Sequence, residues 1–502
     1  MNRLIALAAL AAFAVTPAWA GKKDDTLNFG VYREVENYDF YFNTAREGIL
    51  IQQLVWDNLI DRDPRTGEYL PLLAKSFKWI DDVTLEMELH DGVKFHNGEP
   101  FDADSAVFTI NWVSNPTNKV ITQANVNWMK NAEKLGPHKI RLHLKQPFPA
   151  ALEYLSGTVP MYPKDYYAKV GPQGMGREPI GTGPYKVVAA KAGDFITMVK
   201  NPDYFKDSTK GQPGIGKIHM RTIREANTQF AELMTGGLDW IWQVPADQAE
   251  KLAANPRLTV KAAETMRVGY LGMDAAGRAG DGPLKNVKVR QAIAHAINRD
   301  SMVKNLVKGD SRVVHAACFP SQFGCTDDVR RYDFDPARAK ALLAEAGFPN
   351  GLDIDIYAYR ERPWTEAVIG DLRTVGIRAR LQYLSYASLR DKNHAGETPF
   401  FHMTWGSNSI NDVSAILAVF FGKGMPDDFA RDPELHEWLR IADNSVNPDT
   451  RKTNYKKALQ KIAEQAYWLP TFTYVVNVAF TRELDFTPDA DEIPRFVRAR
   501  WK

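Results

Sequence analysis

Between Leu352 and Leu384 the hydrophobic period of the chain changes twice. Leu352 to Tyr359 alternates apolar and polar residues, as a strand does. Thr365 to Val375 carries its apolar residues at helical spacing, and Ile377 to Leu384 alternates again. A strand, a helix and a strand in that order predict a parallel sheet with covering helices, because parallel neighbours need a crossover. The fold class is therefore α/β. The chain has 502 residues, too many for one compact core, so two or more lobes are expected. It contains no repeat, low-complexity tract or Gly/Ser linker, which leaves ordered crossovers to join the lobes.

Other segments fit this class. Thr26 to Val31 reads as a first strand, and Ala45 to Leu59 as a helix with Ile49, Leu50, Leu54 and Val55 on its apolar face. Thr84 to Leu89 alternates strictly and predicts a half-buried strand; Lys139 to Leu144 does the same. Val287 to Arg299 has helical spacing. Asp335 is placed to cap a helix, with Pro336 in its first turn and Gly347 at its end.

The first twenty residues read as an export signal. Met1-Asn2-Arg3 is basic, Leu4 to Val15 is apolar but short for a membrane span, and Ala18-Trp19-Ala20 supplies small residues for cleavage after Ala20. No cysteine stands at that point, so no lipid anchor is expected. Localisation in a bacterial periplasm follows. Net charge is only +2, which argues against nucleic acid or an acidic membrane surface as partner. The two cysteines, Cys318 and Cys325, enclose Pro320 and Gly324; in an exported chain they predict a small-loop disulfide rather than two buried thiols.

No arrangement of residues nominates an enzyme, a metal site or a cofactor. Gly211 to Lys217 has the spacing of a phosphate loop, but Ile218 stands where Ser or Thr is needed and a strand follows. His436-Glu437 begins a zinc-protease pattern without the second histidine. Asp61-Arg62-Asp63 hints at a calcium loop, yet Arg65 occupies a ligand position.

Four ordered segments carry a resemblance: Asp63-Pro64-Arg65-Thr66-Gly67, Pro71 to Phe77, Gly92 to Gly98 and Asp102-Ala103-Asp104. Gly181-Thr182-Gly183-Pro184-Tyr185, Asn201-Pro202-Asp203-Tyr204, Val287 to Arg299 and Asp333 to Gly347 extend it over essentially the whole mature chain. Together they resemble the oligopeptide and dipeptide type of bacterial extracellular solute-binding protein, family 5. The resemblance implies a two-lobed periplasmic-binding-protein fold of type II with a hinge. Lobe I would comprise residues 21–266 and 474–502, with an extra subdomain at about 60–181, and lobe II residues 267–473. The chain would cross near Met266 to Tyr270 and return near Leu469 to Tyr474.

The implied role is capture of a peptide or peptide-like solute between the lobes and delivery to the permease subunits of an ABC transporter in the inner membrane. The protein would act as a monomer, without cofactor or catalysis. An opine-like conjugate, a sugar or a metal chelate is the alternative ligand; a periplasmic hydrolase or a chaperone-like binder is the alternative class.

The resemblance also nominates site residues. Arg362, in Arg360-Glu361-Arg362-Pro363-Trp364, matches the arginine that holds a peptide's terminal carboxylate, with Arg360 as fallback. Trp364 lies beside it, and Trp405 is a candidate cavity wall. Asn408 stands where relatives carry an aspartate for the ligand's amino group; it cannot neutralise an ammonium, so Asp412 is expected to replace it or the ligand lacks that amine. Tyr32, Glu34 and Asn37, in the loop after the first strand, complete the expected contacts.

Overall fold

A computed structural model describes residues 21–35, 37–43, 47–121, 123–406 and 410–502. The expected export signal, Met1 to Ala20, and the candidate Asn408 lie outside the described residues. Ten strands form one mixed sheet. From one edge they run Ile377–Tyr383, Leu352–Ala358, Phe400–Gly406, Leu258–Met273, Trp468–Thr481, Trp240–Ile241, Thr26–Val31, Lys217–Thr222, Phe195–Lys200 and Tyr185–Lys191. Leu352–Ala358 pairs in parallel with Ile377–Tyr383, and helix Arg362–Thr374 makes the crossover. The helix begins before the expected Thr365, because Pro363 suits a first turn and Glu361 turns the chain with a left-handed φ of 44°.

Apolar side chains collect in separate cores. One surrounds Leu27, Phe29, Trp56, Tyr162 and Trp240 at one end of the sheet. At the other end, Val289, Ile293, Ile356 and Leu372 form one core, and Tyr270, Phe421, Leu459 and Trp468 another. Strands Leu258–Met273 and Trp468–Thr481 belong to both ends. They pair antiparallel from Leu258↔Thr481 to Gly272↔Trp468, with register shifts between Glu264 and Val268 and between Val268 and Tyr270. Those irregularities fall where the chain passes from one set of cores to the other, and bulges of this kind bend and twist a ladder.

A second sheet, of four antiparallel strands, orders Ala74–Asp81, Thr84–Leu89, Lys139–Leu144 and Met129–Gly136, with helix Ala103–Ser114 packed against it. Thr84–Leu89 is more buried than its alternation predicts: Thr84 and Glu86, expected to face water, are covered. Glu86 is held by Lys139 at 2.7 Å and Arg141 at 2.9 Å from the neighbouring strand, and their aliphatic stems cover it.

The helix expected over Ala45 to Leu59 is described from Glu47 to Val55. It stops because the residues after it have other partners. Asp57 is buried in an ion pair with Lys210 (2.9 Å) and accepts from Thr182 and Tyr204 (3.0 and 3.1 Å). The Gly183 N–H donates to the Val55 carbonyl at 2.9 Å. A Cβ on Gly181 would lie 1.9 Å from that same oxygen, so the Gly-Thr-Gly turn is fixed by close approach of two backbones. Cys318 and Cys325 form the expected disulfide, with Cα atoms 5.8 Å apart. Gly211 to Gly216 leads into strand Lys217–Thr222, not into a helix.

One buried carboxylate ties the ends of the molecule together. Glu153 pairs with Arg62 at 3.1 Å, accepts the Tyr69 hydroxyl at 2.7 Å, and accepts the Asn411 N–H at 2.8 Å from a segment 258 residues further along the chain.

Candidate functional site

Ligand sites in open α/β sheets form beyond the carboxyl ends of parallel strands. Two such edges face one another here. The loop after Thr26–Val31 leaves one parallel pair, and the segment Tyr359 to Trp364 leaves the other. Between them lies a cavity of about 1440 Å³. Arg33, Phe40 and the Gln243–Glu250 segment line one side. Tyr359, Arg360, Glu361 and Trp364 line the other, and Arg267 and Tyr474 to Asn477 of the two crossing strands form the back. Lys308, beside Gly309, reaches across to Glu250 at 3.3 Å.

The corner near the crossing strands is charged and built. Arg360 and Glu361 are in direct contact as an ion pair. The Arg360 guanidinium lies 5.2 Å from the centre of the Tyr474 ring. Arg267 donates to Thr404 Oγ1 at 3.1 Å and lies 3.9 Å from Glu492; Tyr359 also meets Thr404 at 3.1 Å. Trp364 packs edge-on to Phe472 and tilted to Tyr474, with centroids 5.2 and 5.4 Å away. Burial pushes the Glu361 carboxyl up, and Arg360 opposes that shift. Burial likewise holds the Tyr474 phenol well above its usual range, and its hydroxyl finds no hydrogen-bond partner among the described residues. Beneath this corner His402 meets Thr365 Oγ1 at 2.8 Å; burial, then the Arg360 charge, lowers it to about 4, so the imidazole is neutral.

The residues nominated from sequence separate. Trp364 lines the cavity, and so does Arg360. Arg362 is not among the described residues that line it. Its side chain is 61% exposed and bonds Glu366, one turn along the same helix face, at 2.8 Å. Trp405 is half-buried against the core around Tyr270 and Trp468, outside the lining. Asp412 is not open to a ligand: it is buried, held by two contacts of 2.9 Å from Arg451.

In the loop after the first strand, Glu34 pairs with Arg224, Asn37 accepts the Asp39 N–H at 2.9 Å, and Tyr32 is half-buried. Arg33, between Tyr32 and Glu34, borders the cavity instead, as alternation in an extended segment allows. Glu361, Arg267 and Tyr474 escaped the sequence reading. A signal was available for the last two: both sit in or beside the crossover segments, and a crossover necessarily borders an interlobe cleft.

Cavity, paired strand edges and two-ended sheet define a two-lobed binding protein of the periplasmic type. A sequence model of "Bacterial extracellular solute-binding proteins, family 5 Middle" matches residues 68–427, and the chain belongs to that family. It is similar to the glutathione-binding protein GsiB of Pectobacterium atrosepticum, 25% identical over 491 residues that cover 93% of this chain and 91% of the relative. Among solved structures, HbpA2 of Haemophilus parasuis has a TM-score of 0.84 at 22% identity, covering 95% of this chain and all of that one. A dipeptide-binding protein of Pseudoalteromonas sp. SM9913, in complex with Met-Leu, has a TM-score of 0.78 at 21% identity, covering 95% and 100%.

Proposed function

We propose that the protein is the substrate-binding component of an ABC importer. It captures a peptide or peptide-like solute in the cavity between its lobes and delivers it to the permease. The observation that carries this reading is the 1440 Å³ cavity, enclosed by two facing strand edges and lined by opposed charges and aromatic rings. Such a lining suits a short ligand with charged ends and an amide backbone. The names of the relatives, glutathione-binding and dipeptide-binding, point to the same ligand class.

The mechanism is closure about the two crossing strands. Closure brings Arg33 and the Gln243–Glu250 segment against Tyr359 to Trp364, and the closed form is what the permease recognises. Export through the Met1 to Ala20 leader, release as an unlipidated monomer and residence in the periplasm complete the proposal. The domain division is read as residues 21–266 with 474–502, against 267–473. Arg360 and Trp364, rather than Arg362 and Trp405, are assigned to the ligand.

Native mass spectrometry of protein purified from the periplasm, followed by identification of released ligand, tests the class. A peptide series is the expected result; an opine-like conjugate, a sugar or a metal chelate would replace the peptide assignment. Small-angle scattering tests the mechanism. An unchanged radius of gyration on adding the released ligand would refute closure.

A further inference from the structure

Glu153 sits on helix Ala151–Gly157, whose Ala151 and Leu155 pack into the core around Trp56 and Tyr162. Its carboxylate is buried and fixed from its own side. Arg62 pairs with it at 3.1 Å and the Tyr69 hydroxyl donates to it at 2.7 Å. Both come from the paired strands Ile60–Arg62 and Tyr69–Pro71, which pack on the helix. Arg62 is steadied in turn by Asp491, 3.6 Å away. One donor comes from elsewhere: the Asn411 N–H reaches Glu153 Oε1 at 2.8 Å.

Asn411 is held by a different core. Its carbonyl accepts the Phe323 N–H at 3.0 Å, and the Val413 N–H donates back to the Phe323 carbonyl at 3.0 Å. Phe323 lies inside the Cys318–Cys325 loop, and Phe319 and Val413 belong to the core around Tyr270 and Trp468. The contact stands beside the cavity, which Ile410 and Thr158 line. In the proposed division Glu153 belongs to lobe I and Asn411 to lobe II. Lys308 and Glu250 also meet across that division at 3.3 Å, but their side chains are 48% and 67% exposed. Exposed pairs contribute little and are screened by salt; a buried charge-assisted hydrogen bond is stronger and is screened much less.

We propose that Glu153 is a latch between the lobes. It grips the Asn411 N–H when the cleft shuts, sets the wall at Ile410 in place, and biases the protein towards the closed form before any solute is bound. Opening breaks one hydrogen bond and leaves the carboxylate paired with Arg62 and Tyr69, so the latch releases without stranding a buried charge. A solute then has less of the closure to drive, and its apparent affinity rises with the closed fraction. This deepens the importer reading and rests on its two lobes and hinge.

Small-angle scattering tests the latch, on mature protein freed of solute by unfolding and refolding with the disulfide intact. Glu153→Ala removes the acceptor. Asn411→Pro removes the donor and spares the Arg62 and Tyr69 contacts, so it carries the test if Glu153→Ala does not fold. Both variants are expected to have a larger radius of gyration than wild type. The closed-to-open ratio should fall by about tenfold, the loss of one charge-assisted hydrogen bond. Raising the salt to about 0.5 M should leave the wild-type radius unchanged. Folded variants with the wild-type radius would overturn the latch. A wild-type radius that grows with salt to that of the variants would also overturn it and give the bias to Lys308 and Glu250. No solute is added, so mass spectrometry of the released ligand decides the importer reading separately.

Discussion

Asp412→Ala separates a ligand-binding aspartate from a structural one. In the structure Asp412 shares two contacts of 2.9 Å with Arg451, and both residues are 4% exposed. Asp412 also accepts the Ser414 N–H at 3.0 Å. Removing the carboxylate leaves the Arg451 guanidinium buried, with the Tyr455 hydroxyl at 2.9 Å, the Ala442 carbonyl at 3.2 Å and the Phe323 ring 4.8 Å away as its remaining neighbours among the described residues. Breaking one side of a buried pair costs about 3–5 kcal/mol. Asp443 softens this. Burial raises its carboxyl to about 6, and Asp412 adds to that shift, so losing Asp412 removes a repulsion and leaves Asp443, already mostly ionised at pH 7, facing Arg451 through Tyr455.

The expected loss is therefore about 3 kcal/mol, or roughly 6–12 °C for a lobe of this size. Thermal and urea unfolding at pH 7 measure it, and calorimetry well below the transition measures ligand affinity. Stability should fall while affinity holds. A variant of unchanged stability that loses its ligand would refute the placement of Asp412 and restore it to the binding site.

Tyr474→Phe removes a buried hydroxyl that lacks a partner among the described residues; the protein should gain about 1 kcal/mol, and a stability loss in unfolding experiments would show that the hydroxyl is satisfied. Replacing Cys318 and Cys325 by serine opens a short loop and should cost on the order of 2 kcal/mol in urea unfolding; no change would mean that packing alone fixes the loop. Asp39, buried under the Tyr162 and Tyr167 hydroxyls at 2.8 Å each, is raised by burial from 3.8 to about 6. The folded state therefore holds this proton where the unfolded state has released it, so its contribution is full below about 4 and is lost as pH rises towards 6. The stability difference between wild type and Asp39→Asn should fall by on the order of 2–3 kcal/mol across that window and stay flat above it; a flat difference throughout would refute the shift.

The α/β class was legible because periodicity is local. Strand, helix and strand between Leu352 and Tyr383 need only their own residues to declare themselves, as does the Asp335 cap, which accepts the Arg338 N–H at 2.9 Å. The extent of burial was not legible. Glu86 reads as a solvent-facing residue until Lys139 and Arg141 arrive from more than fifty residues away. The cavity wall was legible as a segment but not residue by residue. The Arg360 to Trp364 segment was found, but whether Arg360 or Arg362 enters the cavity depends on a single left-handed residue between them, which no period reveals. The burial of Asp412 has a long-range cause that the local sequence does not carry: its partner Arg451 lies on a helix 39 residues later.

The strand Trp468–Thr481 stands near the middle of the ten-stranded sheet, between Leu258–Met273 and Trp240–Ile241, yet it is almost the last part of the chain to be made. Until it arrives, each end of the sheet lacks a central partner and the Leu258–Met273 strand keeps an open edge. A chain cut ahead of Trp468 would lack the strand that both ends of the sheet share, so such a truncation is expected to destabilise both ends at once rather than one alone.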